Sequence, residues 1–509
     1  MKRIAIALYS IGVCAGAHAL SRAEYEDRVL AAWTAQMIAA NMGFQFEHKV
    51  ASATWVDQYP KPLTFAPVDD DYYYEMIAIR ALEKYGTGMT VEQLGRQWEE
   101  NSAGSWGSSF HTRELLLRGI KAPDTGHPRY NRMWFSIGPQ FSGDVYGLLA
   151  PGRPNLAGKL AREYGHINGY AEGTDGAVFV AGMVSLAFRE TDSKRIVKQA
   201  AQLIDPRSPY RQCLDLVILL AEAGKTAREV ADAVEDRWHI EYPATNNAVP
   251  NGGIVAMSVW FGEGDFLKTI NAAFAAGDFI DTDCNAANAA AVVGAMRGMK
   301  ALPDYLVKPL NDRVAGAKMG EVVLTPPVDE KISELARRTA ALGLKFAGTL
   351  DMPDEAVRTQ PPELFPLGRL TEYWNPGWQL LRAGFGGAGG GMRGIRGITY
   401  LDGDVLATWP RDEVRGLLLT SERKLGSGQK LRFDAGVDSG RVWQLEVYAG
   451  NERLLTKTME GKASARAWEQ IELPLDKFAG QTVRLRLYQR VLFTDAVAGN
   501  AYWRNLKVE

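Results

Sequence analysis

The sequence predicts a multidomain protein: an all-α domain followed by an all-β sandwich of jelly-roll type. Three observations carry this expectation. The chain has 509 residues, more than one ordinary core accommodates. From about Arg22 to Lys318, apolar residues recur at spacings of three and four, the period of helices with a buried face. From about Tyr373 to Glu509 the period changes to two, the signature of strands with one inward face.

In chain order, the first segment is MKRIAIALYSIGVCAGAHAL. Lys2 and Arg3 precede a short apolar run, Ile4 to Ala15, and Ala17-His18-Ala19 offers a small-x-small cleavage site. The run is shorter than the ~20 residues that span a bilayer. Residues 1–19 are therefore expected to be a cleaved export signal, with a periplasmic or secreted mature protein that has no membrane span.

Residues 20–320 form the expected helical domain. TVEQLGRQWEENS, NLAGKLAREYGHIN, DGAVFVAGMVSLAFRE, SKRIVKQAAQLI, CLDLVILLAEAG and TAREVADAVEDRW all carry the helical period. Thr90 and Thr226 stand where N-caps belong, each with Glu or Gln shortly after. No comparable set of alternating strands interrupts this region. Residues 321–372 hold one more helical segment and then a proline-rich linker.

The strands expected in residues 373–509 are KLRFDAGVD, VWQLEVYAG, ERLLTKTM, AWEQIELPL, VRLRLYQRV and AYWRNLKVE, separated by turn signals. GFGGAGGGMRG, near the start of this region, is not followed by Lys-Ser/Thr and is read as a flexible loop, not a phosphate cradle. Trp443, Trp468, Tyr488 and Trp503 are either core aromatics or a sugar platform, and the core is the expected place for each.

Composition bounds the function. The chain is 46% hydrophobic and 23% charged, as soluble globular proteins are. A formal net charge of −2 gives no electrostatic case for nucleic acid or an anionic membrane as partner. Export permits disulfides, yet removal of the signal leaves only Cys213 and Cys284, and no bridge is expected. Cys213 lies on an apolar helical face and reads as core.

Two acidic knots stand at helix mouths. In VDDDYYYEMIAIRALEKYG, Asp69, Asp70 and Asp71 open a helix. Acids in a first turn complement the macrodipole by about 0.3–1 kcal/mol each, which suffices to explain that triplet alone. GDFIDTDCNAANAAAVVGAM is different. A helix start needs one capping side chain, whereas Asp281, Asp283, Cys284 and Asn285 all crowd this one.

Two carboxylates separated by one residue can turn toward a single ion, as in calcium-binding loops. The helix that follows is small and apolar enough for the centre of a bundle. Carboxylates there would repel and neutralise unless cations held them ionised. The two knots therefore point to one shared dinuclear site. Asp69, Asp70, Asp71, Asp281 and Asp283 would set five negative charges against four positive from two divalent ions. Oxygen-rich ligation favours Mg²⁺ or Mn²⁺ over zinc, and the six histidines show no zinc spacing.

These segments resemble the ADP-ribosylglycohydrolase family. DRVLAAWTAQMIAANMGFQFE is similar to the family's opening helix, leading to Gly43-x-x-x-Glu47. DDDYYYEMIAIRALEKYG is similar to its first metal motif. FSIGPQFSGDVYGLLAPGRP and DGAVFVAGMVSLAF resemble central segments, and NNAVPNGGIVAMSVWFGEGDFLKTINAAFAAGDFIDTDCNAANAAAVVGAMRG resembles the end of the domain. The likeness covers roughly residues 24–300 in the right order. It implies an all-α fold with two Mg²⁺ or Mn²⁺ ions that cleaves the anomeric bond of a ribofuranosyl unit.

Carried over by position, the first metal motif falls on Asp69, Asp70 and Asp71, and the second on Asp281, Asp283 and Cys284. Asp69 and Cys284 each replace a hydroxyl residue common in the family, which bears on the metal preference and the substrate. The resemblance implies Glu47 as a substrate-orienting or acid/base group, and Asp70 and Asp283 as carboxylates acting in catalysis. It places Asp144 and Asn251 in segments near the cleft, as candidate substrate-binding residues. From the residues alone, His166 either touches substrate or is structural, as a lone histidine near a helix end more often is, and Asn285 either backs the metal site or belongs to the helix's first turn.

The expected partner is a small molecule or glycan with a furanosyl unit. Export favours a glycan, a nucleoside-like molecule or another furanoside, and the appended sandwich, of a kind that often binds sugar, agrees. The competing expectation is a non-catalytic carbohydrate- or ligand-binding protein that retains the fold. Five acidic residues in two motifs argue against it.

Overall fold

The computed structural model describes residues 19–239, 242, 246–278, 280–382, 398–410, 416–462, 464–492 and 497–509. The expected export signal, apart from Ala19, and the glycine-rich stretch 384–394 lie outside them. As expected, a helical domain is followed by a sandwich of strands.

Seven helices position the site: α1 (Arg22–Gly43), α2 (Asp70–Tyr85), α3 (Gly107–Leu117), α4 (Glu172–Ala187), α5 (Ala248–Gly262), α6 (Thr282–Arg297) and α7 (Ile332–Ala347). α6 is buried along its whole length except Arg297, α4 is buried throughout, and α5 is buried except at Phe261. A helix apolar on all sides belongs at the centre of a domain. Small residues then let α1 and α6 approach closely. A Cβ on Gly294 would stand 2.6 Å from the backbone of Ala31 and Ala32, and one on Gly43 would stand 2.7 Å from Asp283 Cα. The pair therefore runs antiparallel, with the end of α1 beside the start of α6.

Local signals agree with the folded elements. Thr90 and Thr226 both form capping boxes, with Gln93 and Glu229, at the starts of Val91–Glu100 and Ala227–Val234. α7 closes over α1, where Trp33 Nε1 donates to Thr339 Oγ1 at 3.1 Å.

One feature differs from the all-helical expectation. β2 (Arg313–Met319) and β3 (Val322–Lys331) form an antiparallel hairpin, and β1 (Ala66–Pro67) pairs with β2 in parallel. Pro326 and Pro327 lie inside β3. Proline within a run weakens its reading as a strand. The hairpin crosses residue 320 and leads straight into α7, so the helical unit continues to Ala347. It also matters for the site: Val68 N–H donates to Ala315 O at 3.0 Å, which anchors the chain immediately before Asp69.

The proline-rich segment is a strap laid on the helical domain. Arg189 donates to Pro353 O at 2.6 Å, Asn155 bonds both Ala356 O and Arg358 N–H, and Gln360 N–H donates to Leu203 O at 2.7 Å. Phe365 then packs on Trp134, ring centroids 5.4 Å apart, in a core shared by the helical domain and the sandwich.

The remaining strands are β4 (Gln379–Leu381), β5 (Tyr400–Asp402), β6 (Val405–Thr408), β7 (Leu417–Lys424), β8 (Lys430–Val437), β9 (Arg441–Ala449), β10 (Glu452–Glu460), β11 (Ala467–Pro474), β12 (Thr482–Arg490), β13 (Val497–Ala498) and β14 (Ala501–Val508). They form one sheet in the order β10-β9-β12-β7-β4, with β13 on β9, and a second in the order β11-β8-β14-β6-β5. Trp443 and Trp503 meet in the core between them, centroids 5.3 Å apart. Trp468 and Tyr488 are half-buried and lie under Arg504 and Arg490. Cys213 and Cys284 are both free and buried. No helix among the described residues is long and apolar enough to cross a membrane.

Candidate active site

α2 and α6 begin on the same cleft, and this brings the two acidic knots together. Asp69 is the N-cap of α2 and accepts from Asp71 N–H at 3.4 Å, so the capping role suggested by its position is present. Asp281 occupies the N-cap position of α6 but caps nothing. One of its oxygens accepts from the Asn246 amide, and the other has no partner.

Carboxylate oxygens of Asp69, Asp71 and Asp283 lie within 4.8 Å of one another, as do ligand atoms of Asp281, Asp283 and Cys284, and those of Glu47, His48 and Asp281. Asp71, Asp281 and Asp283 are buried. Both oxygens of Asp71 and one each of Asp281 and Asp283 lack hydrogen-bond partners. Among the described residues, no Lys or Arg forms an ion pair with this cluster. The basic side chains beside it are His48, whose Nε2 is 3.3 Å from Glu47 and 3.8 Å from Asp281, and Lys49, which acts on Glu47.

Electrostatics follow from that arrangement. Burial pushes Asp70, Asp71 and Asp283 well above the usual carboxylate range, and neighbouring charges add to it, Asp69 for the first two and Asp281 for the third. Burial, then Asp281 and Asp69, raises Glu47 to about 8. Burial, then Asp281, drives the Cys284 thiol well up. Such a set is stable as anions only beside positive charge. The orphaned oxygens and the mainly oxygen character of the donors, His48 and Cys284 apart, fit divalent cations of the magnesium and manganese kind.

The cleft measures about 440 Å³. Glu47, His48, Asp69, Asp70, Asp281, Asp283 and Cys284 are among its lining, and Asp71 is buried next to them. Trp106 to Ser109, at the start of α3, and Ser136 to Gly138 also line it. Ser108 Oγ is buried without a partner there. A Cβ on Gly138 would meet that oxygen at 2.3 Å, so the wall depends on glycine at this position.

Four sequence candidates stand elsewhere. Asn251 and Asn285 are buried behind the carboxylates. Asn251 Oδ1 accepts from Asn285 Nδ2 at 2.7 Å and from Asp281 N–H at 3.3 Å, so the pair holds the backbone of the second knot. Asp144 is in the helical core, accepting from Gln36 Nε2 at 3.0 Å and Asn288 Nδ2 at 2.9 Å, and does not line the cleft. Gln36 also donates to Asp71 O at 3.1 Å, which ties that network to the first knot. His166 is also absent from the cleft lining: its Nε2 bonds Glu363 at 2.7 Å, under the strap. Its place beside a helix end in the sequence concealed a partner 197 residues away.

His48, Asn246, Trp106 and Ser108 join the site without having been singled out from the sequence. His48 follows Glu47 directly, and its backbone, at φ 53°, donates to Ile280 O at 2.9 Å. The Trp-Gly-Ser-Ser run at the start of α3 is the sequence signal that marks this part of the lining.

A helical domain with a carboxylate-lined cleft at the mouths of buried helices is the architecture at hand. The chain matches the ADP-ribosylglycohydrolase family model over residues 21–346 and belongs to that family. Membership supports a hydrolase of glycosidic type. Among solved structures, the chain is similar to an ADP-ribosylglycohydrolase-related protein complex, at 16% identity and a TM-score of 0.42, over 64% of this chain and 99% of that one. It is also similar to the K3 adhesin domain of Lys-gingipain from Porphyromonas gingivalis w83, at 13% identity and a TM-score of 0.19, over 26% of this chain and 93% of that one. A structure described as CBM4 gives 14% identity and a TM-score of 0.19, over 26% and 88% of the two chains. No curated protein matches.

Proposed function

We propose that this protein is an exported glycoside hydrolase that uses two divalent cations, Mg²⁺ or Mn²⁺, to cleave the anomeric bond of an ADP-ribosyl conjugate or related furanosidic glycoside. The observation that carries the reading is the convergence of Asp69, Asp71, Asp281 and Asp283, with orphaned buried oxygens and no Lys or Arg partner among the described residues. The pattern of residues 1–19 supports export.

Asp69, Asp71, Asp281 and Asp283 would hold the cations, with Cys284 beside them. Bound there, divalent ions supply Lewis-acid charge toward sugar hydroxyls and a water molecule. The chain's own groups do the rest. Asp70, on the cleft wall beside Asp69, faces the positive charge that develops on the anomeric carbon and stabilises it. Glu47 stands on the same wall next to Asp281 and delivers the proton that the leaving group needs. Ser108 and its neighbours in the lining orient the sugar. Phe44, Phe141 and Ile137 make part of the lining apolar.

The test is turnover of a furanoside and ADP-ribosyl panel by the mature protein, with and without metal. Asp281→Ala and Asp283→Ala are each expected to lower kcat by at least ~100-fold with an unchanged circular dichroism spectrum. Full activity in protein stripped of metal, with the metal content checked by mass spectrometry, would overturn the proposal.

A further inference from the structure

The sandwich offers a second place for a ligand, on the outer face of the β10-β9-β12-β7-β4 sheet. Side chains alternate along a strand, so burial of Val483, Leu485, Leu487 and Gln489 sends Arg484, Arg486, Tyr488 and Arg490 outward from β12. The register sets Tyr448 of β9 and Thr420 of β7 beside Arg486, and Glu446 and Leu418 beside Tyr488. Gln379 and Leu381 of β4 extend these two rows past Thr420 and Leu418.

A sheet face turned to water is normally polar. This one keeps Leu381 44% exposed, with Leu418, Tyr448 and Tyr488 half-buried. The two tyrosine rings stand 5.8 Å apart at 84°. The Arg486 guanidinium lies 5.2 Å from the centre of the Tyr448 ring, donates to Gly450 O and meets Tyr488 Oη at 3.5 Å. A guanidinium has five N–H donors in a fixed fork, so these contacts hold its plane and leave donors over for a carboxylate. Arg484 is exposed on the same strand, paired with Glu422 at 3.3 Å. An exposed pair of that kind is weak and exchanges readily. Arg453, opposite Tyr448 on β10, is exposed as well.

The shape of the face suits a chain. A depression of about 400 Å³ lies against β4, lined by Gln379, Leu381, Thr420 and Glu422. Another of about 620 Å³ lies by the β9–β10 turn, and Arg484 borders both. Each row crosses four strands, roughly 14 Å at the usual strand spacing, which is longer than one sugar ring. Sugar rings have apolar C–H faces and hydroxyl rims, and so call for aromatic or aliphatic surface beside amides, hydroxyls and carboxylates.

We propose that this face binds a glycan chain bearing carboxylates, of the uronate class. Arg486 takes a carboxylate, Tyr448 and Tyr488 take ring faces, and Gln379, Thr420 and Glu446 take hydroxyls. The exposed arginines favour an acidic chain over a neutral one. This binding is separate from the cleft and independent of the glycosidase reading.

The experiment measures binding of the whole chain to polygalacturonate by affinity electrophoresis, beside the carboxyl-reduced polymer, polyglutamate and duplex DNA. Polygalacturonate should bind at least about tenfold more tightly than the other three, and Arg486→Gln and Tyr448→Ala should each weaken it about tenfold. Asp283→Ala should bind as wild type does. Circular dichroism checks each fold, and Arg453→Gln, on the exposed edge strand, should weaken binding several-fold if Arg486→Gln does not fold. Equal binding of the carboxyl-reduced polymer, wild-type affinity in both Arg486→Gln and Arg453→Gln, or loss of binding in Asp283→Ala overturns the proposal. So does binding of polyglutamate or DNA as tight as that of polygalacturonate, which would give the face to another polyanion, and so does no binding of polygalacturonate.

Discussion

Gly43 and Asp283 touch backbone to backbone: a methyl group on Gly43 would lie 2.7 Å from Asp283 Cα. This contact joins the last residue of α1 to the first acidic turn of α6 and fixes how far Asp283 stands from Asp69 and Asp71. Only a residue without Cβ lets the two helices close at that end.

Gly43→Ala is accordingly expected to push the helices apart at the carboxylates. Overpacking of this kind costs about 1–3 kcal/mol. Gly294→Ala supplies the comparison, because its methyl would strike Ala31 and Ala32 at 2.6 Å at the other end of the same pair. Both variants should melt earlier. Metal affinity, measured by calorimetric titration, should fall far more for Gly43→Ala. Equal affinities in the two would show that the carboxylate spacing does not depend on this contact.

Metal and stability are linked through the same cluster. Ions that bind only the folded state stabilise it by about 2.7 kcal/mol at a hundred times the dissociation constant. Mg²⁺ or Mn²⁺ should therefore raise the melting temperature of stripped protein. Asp283→Ala should shrink that shift, and Asp281→Ala likewise. A melting temperature indifferent to both metals would contradict the assignment of these carboxylates as ligands.

How much of this was legible in the sequence depends on the range of each signal. The helical period and the strand alternation are local, and both architectures were readable from them. The crowding at Asp281, Asp283, Cys284 and Asn285 exceeded what a helix start requires, and the folded chain bears this out at Asp281, which sits at the cap position without capping. The triplet at 69–71 looked like ordinary first-turn acids because Asp69 does cap α2. Long-range partners were invisible. Nothing near His166 announces Glu363, and nothing near Asp144 announces Gln36 or Asn288. The β2–β3 hairpin was hidden by its two prolines. The sequence marks Asn251 as a candidate, but its role behind Asp281 shows only in the fold.

That role can be tested alone. Asn251→Ala removes the acceptor shared by Asp281 N–H and the Asn285 amide, leaving both donors buried and unpaired. The expected loss is about 1–3 kcal/mol in stability. Outer partners of ligands typically contribute 10–100-fold to metal affinity, roughly the decrease expected here. Chemical denaturation gives the first number and metal titration the second. A stability loss with unchanged metal affinity would confine Asn251 to packing.

The carboxylate of Glu363 joins strap to helical domain. It meets His166 Nε2 at 2.7 Å, Thr174 Oγ1 at 2.6 Å, Ala171 N–H at 2.9 Å and Arg162 at 3.3 Å. Burial works to raise its pKa, but His166, Arg162 and Thr174 outweigh it and hold the group near 2. A carboxylate depressed on folding contributes stability that is fully present above its ordinary value, 4.5 here, and is lost as pH falls through the folded value, about 2. Wild type and Glu363→Gln should therefore differ in unfolding free energy above pH 4.5 and converge toward pH 2. His166→Gln should lower stability through the same contact while leaving KM unchanged, since the ring lies outside the cleft lining. A rise in KM without a stability loss would return His166 to the substrate.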